Sequence, residues 1–152
     1  DPMRDALTQA LKESMRAKDE RAVSTLRLIL AALKDRDIAA RSKGNSTGIT
    51  DDEVLQMLQS MVKQRRDSIA MYEQGGRLEL AEREQQEIDI IQRYLPKQMT
   101  EDEIAQAVQD LIEEMNASGL KQMGAVMGEL RERYAGQMDF AKASPIVKQK
   151  LA

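Results

Sequence analysis

The residues able to do chemistry are few, and their types narrow the reactions before any fold is considered. The chain contains neither cysteine nor histidine. Thiolate nucleophiles, disulfides and imidazole acid–base catalysis are therefore excluded, together with the commonest metal ligand. Serine and lysine are present, but no nucleophile–base arrangement meets the requirements of catalysis, and no phosphate-binding loop or dinucleotide fingerprint occurs. Glu82, Glu84, Glu87 and Asp89 crowd together in a way that suggests a cation or acid–base site. Oxygen-loving cations need carboxylates converging on one point, whereas a helix through these residues exposes acids on all sides. A solvated face is expected there, with no metal, no cofactor and no catalytic residue. Lys63-Gln64-Arg65-Arg66 is the densest basic run and carries the charge to grip phosphate. If the chain folds back at Gly75-Gly76, however, Arg65 and Arg66 face Glu84 and Glu87, and ion pairing within a hairpin is expected instead.

Gly124 and Gly128 pose a different question. Glycine costs a helix interior about 1 kcal/mol relative to alanine, yet two stand one turn apart on one face. Either another helix packs closely against that backbone or a bound partner does. Met123 and Met127, beside the glycines, are the methionines placed to line a surface groove; most of the ten are adaptable core fillers. With three tyrosines, one phenylalanine and no tryptophan, platforms for base stacking are missing.

The elements that must position these residues read as helices throughout. Charged residues make up 32% and aromatics 3%, a balance that favours an all-α protein over a sheet. Met3, Leu7, Leu11 and Met15 recur every fourth residue and predict a first helix over 3–18. Asp19 caps a second, carried by Val23, Leu26, Ile29, Leu30 and Leu33 to about Ala40. A polar loop over 41–50 follows. Thr50 and Glu53 form a capping box that opens a third helix, with Leu55, Leu58, Val62, Ile69 and Tyr72 on its buried side. Gly75-Gly76 ends it, because glycine accepts left-handed geometry. Leu78, Ala81, Ile88, Ile91 and Leu95 mark a fourth helix, antiparallel to the third.

Pro96 disfavours helical geometry at Leu95, and Thr100 with Glu103 makes a second capping box. This joint at 96–99 separates an N-terminal four-helix domain, 3–95, from a small three-helix domain, 100–152. The first helix of the small domain carries Ile104, Val108, Leu111, Ile112 and Met115. The second carries Met123, Val126, Met127, Leu130 and Tyr134 and closes at Ala135-Gly136. The last holds Ile146, Val147 and Leu151, with its start between Ala141 and Pro145 so that the proline falls in the first turn.

Net charge is −3, but unevenly spread. Residues 1–43 carry ten Lys/Arg against seven Asp/Glu, 67–120 four against thirteen, and 121–152 six against three. Uniform phosphate wrapping is not expected, while a local basic patch is compatible with this distribution. The most apolar run, "LRLILAAL" (26–33), is interrupted by arginine and far too short to span a bilayer. No apolar signal core opens the chain, so a soluble cytoplasmic protein is expected. Asp1-Pro2 before Met3 reads as a cloning remnant.

The stretches "YEQGGRLELAEREQQEIDIIQRYLPKQMTEDEI" (72–104) and "KQMGAVMGELRERYAGQMD" (121–139) resemble the YqeY family. Within them "GR" at 76–77, "YLPKQ" at 94–98 and "MGAVMG" at 123–128 are the specific motifs, and the likeness runs the length of the chain from Met3. The resemblance implies an N-terminal helical bundle joined to a small helical domain. The latter is similar to the tail domain found in one component of the glutamine-dependent amidotransferases, which convert mischarged Glu-tRNA or Asp-tRNA. In those enzymes the tail helps hold the tRNA and the chemistry occurs elsewhere. Gly124, Gly128 and Gly136 fall on the tail's glycine pattern. Lysines usual in the tail are replaced here by Glu132, Ala135 and Gln137, with Lys121, Arg131, Arg133 and Lys142 nearby as substitutes.

The resemblance thus implies a non-catalytic, tRNA-associated module, binding weakly and salt-sensitively through Lys121, Gly124, Met127, Gly128, Arg131, Arg133, Gly136 and Lys142. The family label of carbon–nitrogen ligase with glutamine as amide donor comes by resemblance only. The alternative is a protein-binding adaptor that uses the glycine–methionine face and has no nucleic-acid role.

Overall fold

The computed structural model describes residues 1–152, and every regular element in it is helical. In order these are α1 (Pro2–Arg16), α2 (Glu20–Ser42), α3 (Asp51–Gln74), α4 (Leu78–Gln92), α5 (Glu101–Met115), α6 (Met123–Arg133) and α7 (Phe140–Leu151). A 3-10 turn at Leu120–Gln122 precedes α6. The all-α class and the order of the seven helices follow the periodicity of the sequence. Contacts divide the chain into two compact units, Asp1–Leu95 and Pro96–Ala152.

In the first unit α1 stops at Arg16, two residues earlier than periodicity suggests. Lys18 takes a left-handed φ of 57°, and the Asp19 carboxylate accepts from the Ala22 N–H to start α2. The capping box at the head of α3 forms in both directions: Glu53 N–H donates to Thr50 Oγ1, and Thr50 N–H donates to Glu53 Oε1. At its far end Gly76 adopts φ 71°. The Arg77 N–H reaches back to the Tyr72 carbonyl and the Gly76 N–H to that of Glu73, the bonding of a Schellman motif. The α3–α4 pair is the most extensive helix contact in the molecule. Its core stripe on α3 is Val54, Met57, Leu58, Met61 and Val62. Leu55, expected inside, is only half-buried, and Leu78, expected on the inner face of α4, is 65% exposed. Leu78 is the first residue of α4, at the hairpin tip and outside the core cluster.

The second unit gathers Ile104, Val108, Leu111, Val126, Leu130, Met138, Val147 and Leu151 around one centre. The capping box at Thr100 and Glu103 forms as expected, and α5 ends on Asn116 with φ 50°. Pro145 does not lie in the first turn of α7. The Asp139 carboxylate accepts from the N–H groups of Ala141 and Lys142, so the helix begins at Phe140 and the proline sits inside it. The side-chain cap, rather than the proline, sets this start, and the Ala141 carbonyl loses its usual i+4 donor.

Candidate functional site

The sequence of α6, "MGAVMGELRER", divides cleanly by face. Val126, Met127 and Leu130 turn inward and are buried. On the opposite side lie Gly124, Ala125, Gly128, Arg131 and Glu132, all exposed. A Cβ built on Gly124 or on Gly128 would meet nothing within 4 Å. No helix of the small unit approaches that backbone, so intramolecular packing does not account for either glycine. Lys121 and Arg131 stand three residues before Gly124 and three after Gly128, which puts all four on one face. Neither cation forms an ion pair; Arg131 lies over the Phe140 ring, 5.6 Å from its centroid. Leu120, at the head of this strip, is 51% exposed. Glu132 follows on the same face, one acid against two cations.

Four other expected surface residues do not join this strip. Met127 is buried in the core cluster and lines no groove, because it shares the inward face of α6 with Val126 and Leu130. Gly136 is buried, with φ 78°, and its carbonyl accepts from Gln98 Nε2 at 2.6 Å; it serves a turn. Arg133 lies off the strip and is fully engaged, with Nη1 2.7 Å and Nη2 3.1 Å from the Glu114 carboxylate and Nε 2.8 Å from Glu129. Bonding to Arg133 holds the Glu114 carboxyl below its usual range, and the guanidinium is correspondingly pushed up. Lys142 lies 3.4 Å from Glu101.

In the first unit the basic run splits as the hairpin geometry requires. Arg65 Nε lies 2.8 Å from Glu87 Oε2 and 4.0 Å from Glu84, while Nη1 donates to the Met61 carbonyl. Lys63 and Arg66 are exposed. Glu84 is raised, first by burial and then by the neighbouring Glu87 charge, which Arg65 only partly offsets. No group of three or more carboxylates is arranged to hold a metal ion.

One polar junction escapes sequence reasoning altogether. Asp37 Oδ1 accepts from Arg4 Nη2 at 2.8 Å and from the Ile49 N–H at 2.9 Å, and Arg4 also donates to the Ile49 carbonyl. Gly48 beside it has φ 89°, and a Cβ there would sit 2.7 Å from Asp37 Oδ1. Arg4 and Asp37 are thirty-three residues apart, and only the glycine in the connecting loop hints at the close approach.

The profile of the family described as Yqey-like protein matches residues 4–151. Three similar proteins are each named altered inheritance of mitochondria protein 41, mitochondrial. That of Kluyveromyces lactis is 33% identical over 144 residues, 92% of this chain and 74% of the relative. That of Lachancea thermotolerans is 36% identical over 74% of this chain and 59% of its own length, and that of Eremothecium gossypii 36% over 59% and 46%. The match therefore spans between about half and three quarters of these relatives. With the profile covering all seven helices, the chain belongs to the YqeY-like family.

Proposed function

We propose that the chain is a non-catalytic helical binding module that contacts tRNA through the outer face of α6, in the manner of the amidotransferase tail it resembles. The observation that carries this reading is the uncovered backbone at Gly124 and Gly128, bracketed by the unpaired cations Lys121 and Arg131. Helix backbone without side chains permits close approach of a phosphate–sugar chain, and the two cations supply attraction without sequence discrimination. With Arg133 and Lys142 paired to acids, the contact is small and the binding weak. Its salt dependence should be steep for its strength, since each phosphate neutralised releases counterions. No residue is assigned to amide transfer. The cytoplasm is the proposed compartment; the yeast relatives carry the word mitochondrial in their names, and no helix here is long and apolar enough to cross a membrane.

The test is binding of total tRNA to the whole chain at about 50 and 200 mM salt. Lys121→Ala with Arg131→Ala should weaken binding at low salt and flatten the salt slope by about one for each cation removed. No binding at low salt, or affinity unchanged in the double variant, favours the second reading. That reading is a protein adaptor, supported by Leu120, whose exposed side chain heads the same strip. An apolar contact of this kind would be insensitive to salt.

A further inference from the structure

In the first unit, α1 and α2 form a shallow groove of about 300 Å³. It is floored by Leu30 and Leu33 and rimmed by Arg4, Lys34, Ile38 and Arg41. The groove extends as a pattern along both helices. On α1, Arg4, Thr8, Leu11 and Met15 recur at spacings of four, three and four; on α2, Arg27, Ala31, Lys34, Ile38 and Arg41 recur at four, three, four and three. This alternation keeps residues along one face of a helix and is the spacing by which helices pack lengthwise. Yet no third helix of the unit covers it: Met15 is 50% and Ile38 48% exposed. The cations are also left over. Asp37 is the one acid lining the groove. Arg4 is bound to it and the Arg41 charge also acts on it, whereas Arg27, Lys34 and Arg41 are exposed and form no ion pair, so positive charge is in excess.

We propose that this groove docks an acidic amphipathic helix of a partner protein, its apolar residues seated between α1 and α2 and its carboxylates opposite Arg27, Lys34 and Arg41. The excess of positive charge over the single acid Asp37 selects acids, and the apolar positions interleaved at helical spacing select a helix. A nucleic acid would satisfy the cations but leave Met15, Ile38 and the leucine floor unused, and the groove offers no aromatic ring for a base. A membrane surface is disfavoured because the floor residues Leu33 and Leu30 are buried and half-buried, whereas interfacial helices present a broad apolar face outermost.

The probe is a synthetic peptide of about 20 residues with leucines at alternating three- and four-residue spacing and glutamates on the flanks. It is titrated against the whole chain by fluorescence anisotropy. Saturable, salt-weakened binding is expected, reduced about tenfold or more by Lys34→Glu with Arg41→Glu. The same double variant should gain affinity for a peptide carrying lysine in place of glutamate. Ile38→Ser should weaken binding of the acidic peptide as well. All three positions are exposed, and circular dichroism checks that the variants remain folded. Absence of peptide binding, equal binding of a scrambled peptide, or indifference to the charge reversal overturns the proposal. So does binding of total tRNA or phosphatidylserine vesicles that the same substitutions abolish while the peptide stays unbound. Self-association lost in these variants would instead assign the groove to a second copy of the chain.

Discussion

Gly124 and Gly128 are held in a helix that would be more stable without them. Nothing lies within 4 Å of a Cβ at either position, so alanine meets no obstacle and is the better helix former. Each change should stabilise the small unit by about 0.5–1 kcal/mol, read as a raised midpoint of thermal unfolding, while binding through the strip falls. Loss of stability on either change would mean that something does pack against this backbone. Asp37 behaves in the opposite sense. Burial pushes its carboxyl up, but the Ile49 N–H and the Arg4 guanidinium outweigh burial and hold it below the usual range. A lowered folded pKa means stability fully present above the unfolded value, about 3.9, and lost as pH falls through the folded one. Asp37→Asn should therefore destabilise the protein at neutral pH and shrink that part of the acid-induced loss. An unfolding-versus-pH series on both proteins checks this, and parallel curves would remove Asp37 from the acid response. The exposed glycines were visible in the sequence because helix propensity flags them wherever they stand. The Arg4–Asp37–Ile49 junction was not, since charges so far apart along the chain carry no local signal.

At the scale of elements, local chemistry fixed the ends better than the faces. Both capping boxes form as read, at Thr50 and at Thr100, because cap hydrogen bonds are made within four residues and need no tertiary context. Leu58 and Val62 lie on the inner face of α3 as expected, but that face also takes in Val54, Met57 and Met61, while Leu55, Ile69 and Tyr72 are only half-buried. A helix rich in aliphatic residues offers several plausible stripes, and only the neighbours decide among them. The Pro145 error has a similar origin: the Asp139 cap acts at shorter range than the proline constraint. Arg65 is the residue on which the α3–α4 pairing can be tested. Its side chain is 14% and that of Glu87 17% exposed, so this pair is shielded more than a surface pair. Arg65→Ala removes charge-assisted bonds to Glu87 and to the Met61 carbonyl. A loss of about 1–3 kcal/mol is expected. It should also push the already raised Glu84 carboxyl further up. A raised carboxyl contributes stability that is present below its unfolded pKa and lost as pH rises through the folded one, so the variant should recover part of its deficit in acid. Equal destabilisation at every pH would show that Glu84 does not sense Arg65.

The whole molecule divides its apolar interior in two. One cluster draws on α1 to α4 together with Tyr94 and Leu95, and the other on α5 to α7 with Met99 and Met138. The second unit holds only residues 96–152, a size at which folding buries a modest fraction of the chain's surface and stability is slender. Leu130, entirely buried at the centre of the second cluster, is the side chain whose loss that unit can least absorb. Leu130→Ala leaves a cavity and forfeits transfer energy, a cost of about 2–5 kcal/mol, comparable with the entire stability expected of so small a unit, at the low end of about 5–15 kcal/mol. If the two clusters unfold separately, calorimetry of the parent shows two transitions, and the variant loses or sharply lowers the weaker one while the stronger keeps its midpoint. Leu26→Ala, at an equally buried position in the first cluster, should do the reverse. Hydrogen exchange assigns each transition to its helices, with α5 to α7 losing protection in the first variant and α1 to α4 in the second. A single transition displaced as a whole by either substitution would mean that the two clusters fold as one. The α6 strip would then draw its stability from the entire chain, and changes in the α1–α2 groove would alter it too.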